Sequence, residues 1–130
     1  MNFKPKKENE LSPLLEKREY EFNILSAKDE ISEKGNQMIK LTVEIFKDGE
    51  KVAQIFDYLL EKVAYKLRHC ASACGLIDKY DTGNLEAMMF VGLGGKCIIE
   101  IQKDKDGIYP DKNGIKDYVK KDDKENDLPF

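Results

Sequence analysis

Four side chains in the middle of the sequence are of the types that bind metals or act as nucleophiles. They are the single histidine, His69, and the three cysteines, Cys70, Cys74 and Cys97. On a helix Cys70 and Cys74 share a face, but His69 points about 100° away from Cys70, and no Cys-x-x-Cys pair is present. Cys74 and Cys97 fall on predicted apolar faces, where a free cysteine packs as a small hydrophobic residue. We therefore favour core packing over a zinc site, and we predict no cofactor and no catalytic centre.

Aromatic residues in the stretch that begins at Gln54 suit the binding of single-stranded nucleic acid. If Ile55 faces inward, Phe56 and Tyr58 face outward. Bases stack on exposed rings while neighbouring lysines contact phosphates. In the opposite register both rings join the core. Gln54 and Asp57 lie on opposite faces, so the sequence leaves the register open.

Lysines and tyrosines also alternate towards the end of the chain. Between Lys96 and Lys121 there are seven lysines and five acidic residues. The alternative is a solvated loop, because Asp104, Asp106 and Asp111 dilute the positive charge there. The predicted nucleic-acid-binding residues, which include a basic track along the helix, are Lys34, Lys40, Phe56, Tyr58, Lys66, Arg68, Lys103, Lys105, Tyr109, Lys112, Lys116 and Tyr118.

The last nine residues combine negative charge with an apolar end. They carry four acidic residues against Lys124, and this accounts for the whole net charge of −3. Apolar residues at a disordered end have no core to join, so we expect a mobile acidic segment whose aromatic tip enters a pocket on another protein. The acidic segment can also compete with nucleic acid for the basic surface. The predicted partner-binding residues are Asp122, Asp123, Glu125, Asp127, Leu128, Pro129 and Phe130.

Hydrophobic periodicity places these residues on a mainly β domain. Alternation predicts strands at 20–24, 39–45, 51–60, 96–103 and 115–119, with turn residues over 28–36. Asp48-Gly49 predicts a hairpin between the second and third strands. Apolar residues at three- and four-residue spacing predict a helix over 61–74, and Leu85 to Phe90 a further short helix.

Three strands, one helix and two strands follow each other in the order of an OB-fold, a closed five-stranded barrel. We predict an N-terminal arm over residues 1–17, an OB-fold nucleic-acid-binding domain over 18–119, and a disordered acidic tail over 120–130. No apolar run approaches the roughly 20 residues of a membrane helix, and residues 1–7 do not form a secretory signal. We therefore expect a cytoplasmic protein without a membrane partner, and three cysteines do not suggest a disulfide framework.

The chain resembles a known family at several stretches. The tip is similar to the acidic C-terminal tip of bacterial single-stranded DNA-binding proteins, in which aspartates precede an apolar residue, proline and phenylalanine. The body resembles phage and prophage single-stranded DNA-binding proteins of OB fold. The stretches that carry this resemblance are 34–41, 56–59, 65–69, 109–113 and 116–118.

The resemblance implies coating of single-stranded DNA during phage replication or recombination in a bacterial host, with replication, recombination and repair proteins recruited by the tip. We predict a non-enzymatic protein that binds single-stranded DNA with little sequence preference. The alternative is an adaptor or inhibitor that binds no DNA and mimics the host tip, which the near-neutral body favours. A homo-oligomer, the strand polarity and the choice between DNA and RNA stay open.

Overall fold

A computed structural model describes residues 14–103 and 105–121. In this part of the chain five strands form one antiparallel sheet, in the order β3-β2-β1-β4-β5. The strands are β1 Arg18–Ile31, β2 Gln37–Lys47, β3 Glu50–Leu60, β4 Gly94–Gln102 and β5 Lys112–Tyr118. The helices are α1 Ala64–Ala73 and α2 Ile77–Asp81, followed by a 3₁₀ turn, Ala87–Phe90. The protein is therefore mainly β, and its main helix lies between β3 and β4 as predicted.

Strand β1 is longer than the sequence predicts and pairs with two different neighbours. Its first half pairs with β4 and most of its length pairs with β2. The predicted turn over 28–36 is wrong in its first part, because Lys28 to Ile31 continue the ladder with β2. Local composition is polar here, but pairing with a neighbouring strand outweighs local propensity. Leu25 is an extra residue at a bulge, which allows β1 to bend between its two partners.

The hairpin between β2 and β3, which Asp48-Gly49 predicts, is confirmed. Asp48 and Gly49 have φ values of 52° and 84°, the pair of positive angles that a type I′ turn requires. The alternation predicted for β2 is also confirmed, because its four inward side chains are buried: Ile39, Leu41, Val43 and Ile45.

Helix α1 packs closely on β4 through small residues. Its buried side chains are Cys70, Ala71, Ser72 and Ala73. Gly95 faces this end of the helix, and a Cβ atom there would lie 2.7 Å from the Ala73 carbonyl oxygen. The segment between α1 and β4, which the sequence predicts as largely irregular, also contains α2.

The predicted barrel is not closed. Strands β3 and β5 are the two ends of the strand order, and within the described residues no ladder joins them. Side chains bridge them instead. The Tyr118 hydroxyl donates to Asp57 Oδ2 at 2.6 Å, and Lys66 Nζ donates to Asp57 Oδ1 at 2.9 Å and to the Ile115 carbonyl at 2.8 Å. We call Asp57, Lys66 and Tyr118 the bridging cluster, which links β3, α1 and β5.

Both ends of the described chain are attached to this sheet. The Leu15 backbone exchanges hydrogen bonds with the Asn113 side chain, at 2.8 and 3.0 Å. The Lys121 amide donates to Ser72 Oγ at 3.1 Å, so contacts with the domain extend two residues beyond the predicted boundary at 119. Most of the predicted arm (1–13) and the predicted tail from 122 onward lie outside the described residues. Within the described ranges no helix is long and apolar enough to cross a bilayer.

The bridging cluster gives a prediction about stability. We expect Asp57→Ala to lower the free energy of unfolding by about 3–5 kcal/mol, because it leaves the half-buried Lys66 ammonium without its carboxylate. Adding Lys66→Met should recover part of this loss, since no uncompensated charge then remains. Urea denaturation followed by circular dichroism measures both effects.

The control is Lys51→Ala, which breaks the more exposed Lys51–Glu44 pair at 3.1 Å. This change should cost no more than about 1 kcal/mol. Equal losses for Asp57→Ala and Lys51→Ala would show that the bridging cluster does not hold β3 to β5.

Candidate nucleic-acid interface

Strand β3 presents its two aromatic side chains to solvent. Ile55 and Asp57 are each 8% exposed, whereas Phe56 is 60% and Tyr58 44% exposed. Of the two registers that the sequence leaves open, the structure has the one in which both rings face outward. Asp57 occupies an inward position because Lys66 and Tyr118 bind its carboxylate there.

Cross-strand pairing sets basic and hydroxyl side chains beside the two rings. In one row Ser26, Thr42 and Phe56 are register partners, and in the next row Lys28, Lys40 and Tyr58. We call these six outward residues the ring face. Lys40 Nζ lies 5.2 Å from the centroid of the Phe56 ring and 6.0 Å from that of Tyr58. The ammonium group therefore rests against both rings, as in a cation–π contact.

At one end of the ring face, the adjoining row of side chains contains an acidic residue. Glu44 lies in the row that follows Thr42, between Asn23 and Gln54. Its carboxylate accepts a hydrogen bond from Asn23 Nδ2 at 3.2 Å and pairs with Lys51. The Asn23 hydrogen bond and, next, that from Lys51 lower the pKa of Glu44. The carboxylate therefore stays ionised and holds the Lys51 ammonium, which is then less available to a phosphate.

Two predicted nucleic-acid-binding residues belong to the interior instead. Tyr118 was expected outside in alternation with Lys116, but it is 2% exposed. Its ring packs edge-on against Phe22 at 5.2 Å, and its hydroxyl binds Asp57. Lys66 is half-buried and bound to Asp57 and the Ile115 carbonyl. The structure does not support these two predictions: the bulge at Lys116 turns Tyr118 inward, and both side chains bind the buried Asp57 carboxylate.

The other predicted residues are distributed over the surface. Arg68 is half-buried on α1, and Lys34 is exposed in the β1–β2 turn. The β4–β5 hairpin carries the exposed residues Lys103, Lys105, Tyr109, Lys112 and Lys116, of which Lys116 is the extra residue at a bulge. Their part in binding stays a prediction. The partner-binding residues from Asp122 to Phe130 lie outside the described residues.

Sequence reasoning missed Lys28 because it placed this lysine in a turn. Its position beside Lys40 depends on the pairing of β1 with β2, and no local pattern announces it. Beyond Ile24 the residues Leu25-Ser26-Ala27-Lys28-Asp29-Glu30 do not continue a regular alternation between apolar and polar side chains, so they do not indicate a strand.

The histidine and the three cysteines contact or pack against other residues of the fold. Cys70, Cys74 and Cys97 are free and buried. His69 Nδ1 donates to Asp117, 3.0 Å from each carboxylate oxygen, and its ring contacts Tyr65 edge-on. In the described part of the chain no group of three His, Cys, Asp or Glu side chains could hold a metal ion.

Comparison with known proteins gives no relative: no protein-family model matches the chain, and no curated protein matches it significantly.

The buried thiols predict a loss of stability in alkaline solution. Burial raises the pKa of Cys97 to about 12, and burial followed by the neighbouring Cys74 raises that of Cys70. Burial also raises the pKa of Tyr118. A raised pKa of an acid means that the unfolded state releases its proton first, so stability is complete below about pH 9 and falls above it.

For Cys97 alone the loss is about 1.4 kcal/mol per pH unit between its unfolded and folded pKa values. We expect Cys97→Ala to flatten the decline of unfolding free energy between pH 9 and pH 10.5. The control Val43→Ala, at another fully buried position, should lower stability by the same amount at every pH. Parallel curves for the two variants would contradict the assignment.

Proposed function

We propose that this protein binds single-stranded DNA on the ring face, without catalysing a reaction. The observation that carries the proposal is the pair of exposed rings, Phe56 and Tyr58, with the Lys40 ammonium against both of them. A contiguous patch of exposed apolar side chains can mark a binding surface. Flat rings beside ammonium groups match the two chemical parts of a single strand, its unpaired bases and its phosphates.

In the proposed complex the Lys40 ammonium exchanges its contact with the two rings for a contact with a phosphate. Without a ligand the ammonium covers the rings, which shields their apolar surface from water. An incoming base stacks on a ring at about 1–3 kcal/mol, and the ammonium then moves to the adjacent phosphate. Lys28, the register neighbour of Lys40, supplies a second ammonium group for the backbone. Because bases in a duplex are stacked on each other, this surface selects single strands.

We also propose that the open sheet is a variant of the OB fold. Three features support this: the bent β1 shared by β2 and β4, the helix between β3 and β4, and the adjacency of β3 and β5 through the bridging cluster. In OB folds oligonucleotides bind on the face of the second and third strands, where the ring face lies here.

The proposed biological setting is coating of single-stranded DNA in phage or prophage replication and recombination, inside a bacterial cell. In this proposal residues 122–130 recruit replication, recombination and repair proteins. Their chemistry supports this role, since an acidic run steers the approach to a basic site and the apolar residues fill a pocket.

The first test is an oligonucleotide titration. We expect Phe56→Ala and Tyr58→Ala each to weaken the binding of a fluorescent oligothymidylate by about 10-fold or more, because each removes one stacking platform. Fluorescence anisotropy measures the dissociation constants. The affinity of the wild-type protein should also fall steeply as the salt concentration rises, because lysine contacts to phosphates release counterions.

The matched control is Tyr65→Ala, which removes a tyrosine that is 58% exposed but belongs to α1 and not to the ring face. This variant should bind like the wild type. The proposal is wrong if the protein binds no oligonucleotide, binds duplex equally well, or loses the same affinity in all three variants.

The second test separates the acidic segment from the sheet. A chain that ends at Lys121 keeps the hydrogen bond to Ser72 Oγ, so the described fold should persist. It loses four acidic residues and one lysine, so DNA affinity should be unchanged or higher at low salt, while capture of replication proteins is lost. Weaker DNA binding by this shorter chain would contradict the proposed division of roles.

A second candidate function is that of a protein-binding adaptor. Three apolar side chains, Leu25, Met88 and Val91, are exposed, and backbone hydrogen bonds join Ile24 to Gly92 and Leu93 close to them. Such a patch can contact a protein. The adaptor predicts no oligonucleotide binding together with capture of replication proteins, and the same titration decides between the two functions.

A further inference from the structure

The ring face continues into a groove at one end of the sheet. Beyond Tyr58 the next outward position of β3 is Leu60, and its register partner on β2 is Met38. Both side chains are half-buried. They form the apolar floor of a groove of about 400 Å³, which lies within the usual size range of small-molecule sites, about 300–1,000 Å³.

Two lysines stand on opposite sides of this floor. Lys34 comes from the β1–β2 turn, and Lys62 from the segment between β3 and α1. Both segments are fixed by backbone hydrogen bonds: the Ser32 amide donates to the Asn36 carbonyl at 2.8 Å, and the Glu61 amide to the Gln37 carbonyl at 3.1 Å. The groove is therefore built into the fold, and each of the two segments contributes one lysine to its lining.

We propose that this groove takes the next nucleotide of the bound single strand, with Lys34 and Lys62 at its phosphate and Met38 and Leu60 against its base and sugar. This inference rests on the proposed function. Nothing in the sequence analysis pointed to Lys62, Met38 or Leu60 as contacts.

The spacing along β3 supports this continuation. Phe56, Tyr58 and Leu60 are successive outward positions, about 6.6 Å apart, and the sugar–phosphate repeat of one nucleotide can stretch over such a step. A strand that stacks on the two rings therefore reaches the floor of the groove with its following nucleotide.

Charge gives the direction of the path. The opposite end of the ring face carries Glu44, which pairs with Lys51 and stays ionised. The lining of the groove includes two lysines and one acid, Glu33, and Glu30 is the register partner of Met38 in the same outward row. At the opposite end the Lys51 ammonium is already paired with Glu44, so in this proposal the bound strand extends from Phe56 past Tyr58 towards Lys34 and Lys62.

The test compares the double variant Lys34→Ala/Lys62→Ala with the wild-type protein on oligothymidylates of increasing length, by fluorescence anisotropy. We expect equal affinity for the shortest oligomers that the two rings hold, and a loss of about 10-fold or more once the oligomer is long enough to enter the groove. Loss of two phosphate contacts should also reduce the slope of log affinity against log salt by about 1.4. Glu33→Gln should have the opposite effect and tighten the binding of long oligomers.

The control is Lys47→Ala/Lys79→Ala, which removes the same charge from two exposed positions outside the groove. Thermal unfolding of each variant verifies that it is folded. If both double variants lose the same affinity at every length, the groove is not a subsite, whereas sensitivity to Phe56→Ala would still support the ring face. If the wild-type protein binds no oligothymidylate, the groove and the proposed function are both wrong.

Discussion

The carboxylate of Asp57 determines which side of β3 meets solvent. It is an acidic residue at an inward position of a strand, and it is tolerated there because Lys66 and Tyr118 supply two hydrogen bonds at 2.9 and 2.6 Å. Side chains alternate along a strand, so a shift of one residue would expose Asp57 and bury both rings. The outward direction of Phe56 and Tyr58 thus depends on a contact made on the opposite face of the same strand. A buried ion pair adds little net stability, and its value here lies in the register that it selects.

The same cluster explains which parts of the structure could be predicted. Strand β2, the Asp48-Gly49 hairpin and the place of α1 follow from local periodicity and turn chemistry, and the structure confirms them. The register of β3 could not be derived locally, because Asp57 is satisfied by a lysine nine residues away and a tyrosine 61 residues away. Tyr118 was wrongly expected outside because Lys116 and Tyr118 would share a face in a regular strand. The bulge at Lys116 places Tyr118 on the inward face instead.

Two features of the candidate site, the position of Lys28 and the groove, depend on contacts between residues that are far apart in the sequence. Lys28 is part of the ring face because β1 continues along β2 past its bulge at Leu25. The groove beyond the rings needs three segments to meet, namely the β1–β2 turn, the ends of β2 and β3, and the residues before α1. Patterns in a single sequence can predict each segment, but they do not predict that the three segments lie next to each other. β proteins are rich in contacts between segments that are far apart in the sequence, and local patterns do not predict these contacts.

A near-neutral body is compatible with binding a polyanion when its charges are arranged unequally. Several lysines are paired with carboxylates, as in Lys51 with Glu44, Lys66 with Asp57 and Lys96 with Glu19. Lys40 instead rests on two rings, beside Lys28. At about 0.1 M salt, charges more than roughly 10 Å apart are screened from each other. The acidic residues that act most on the ring face are therefore those in the two adjoining rows, Glu30 and Glu44, of which Glu44 is paired with Lys51. In the proposed function this modest local charge supplies only part of the affinity, and stacking of bases on the rings supplies the rest. The arrangement therefore favours a ligand with unpaired bases over one whose phosphates alone are exposed.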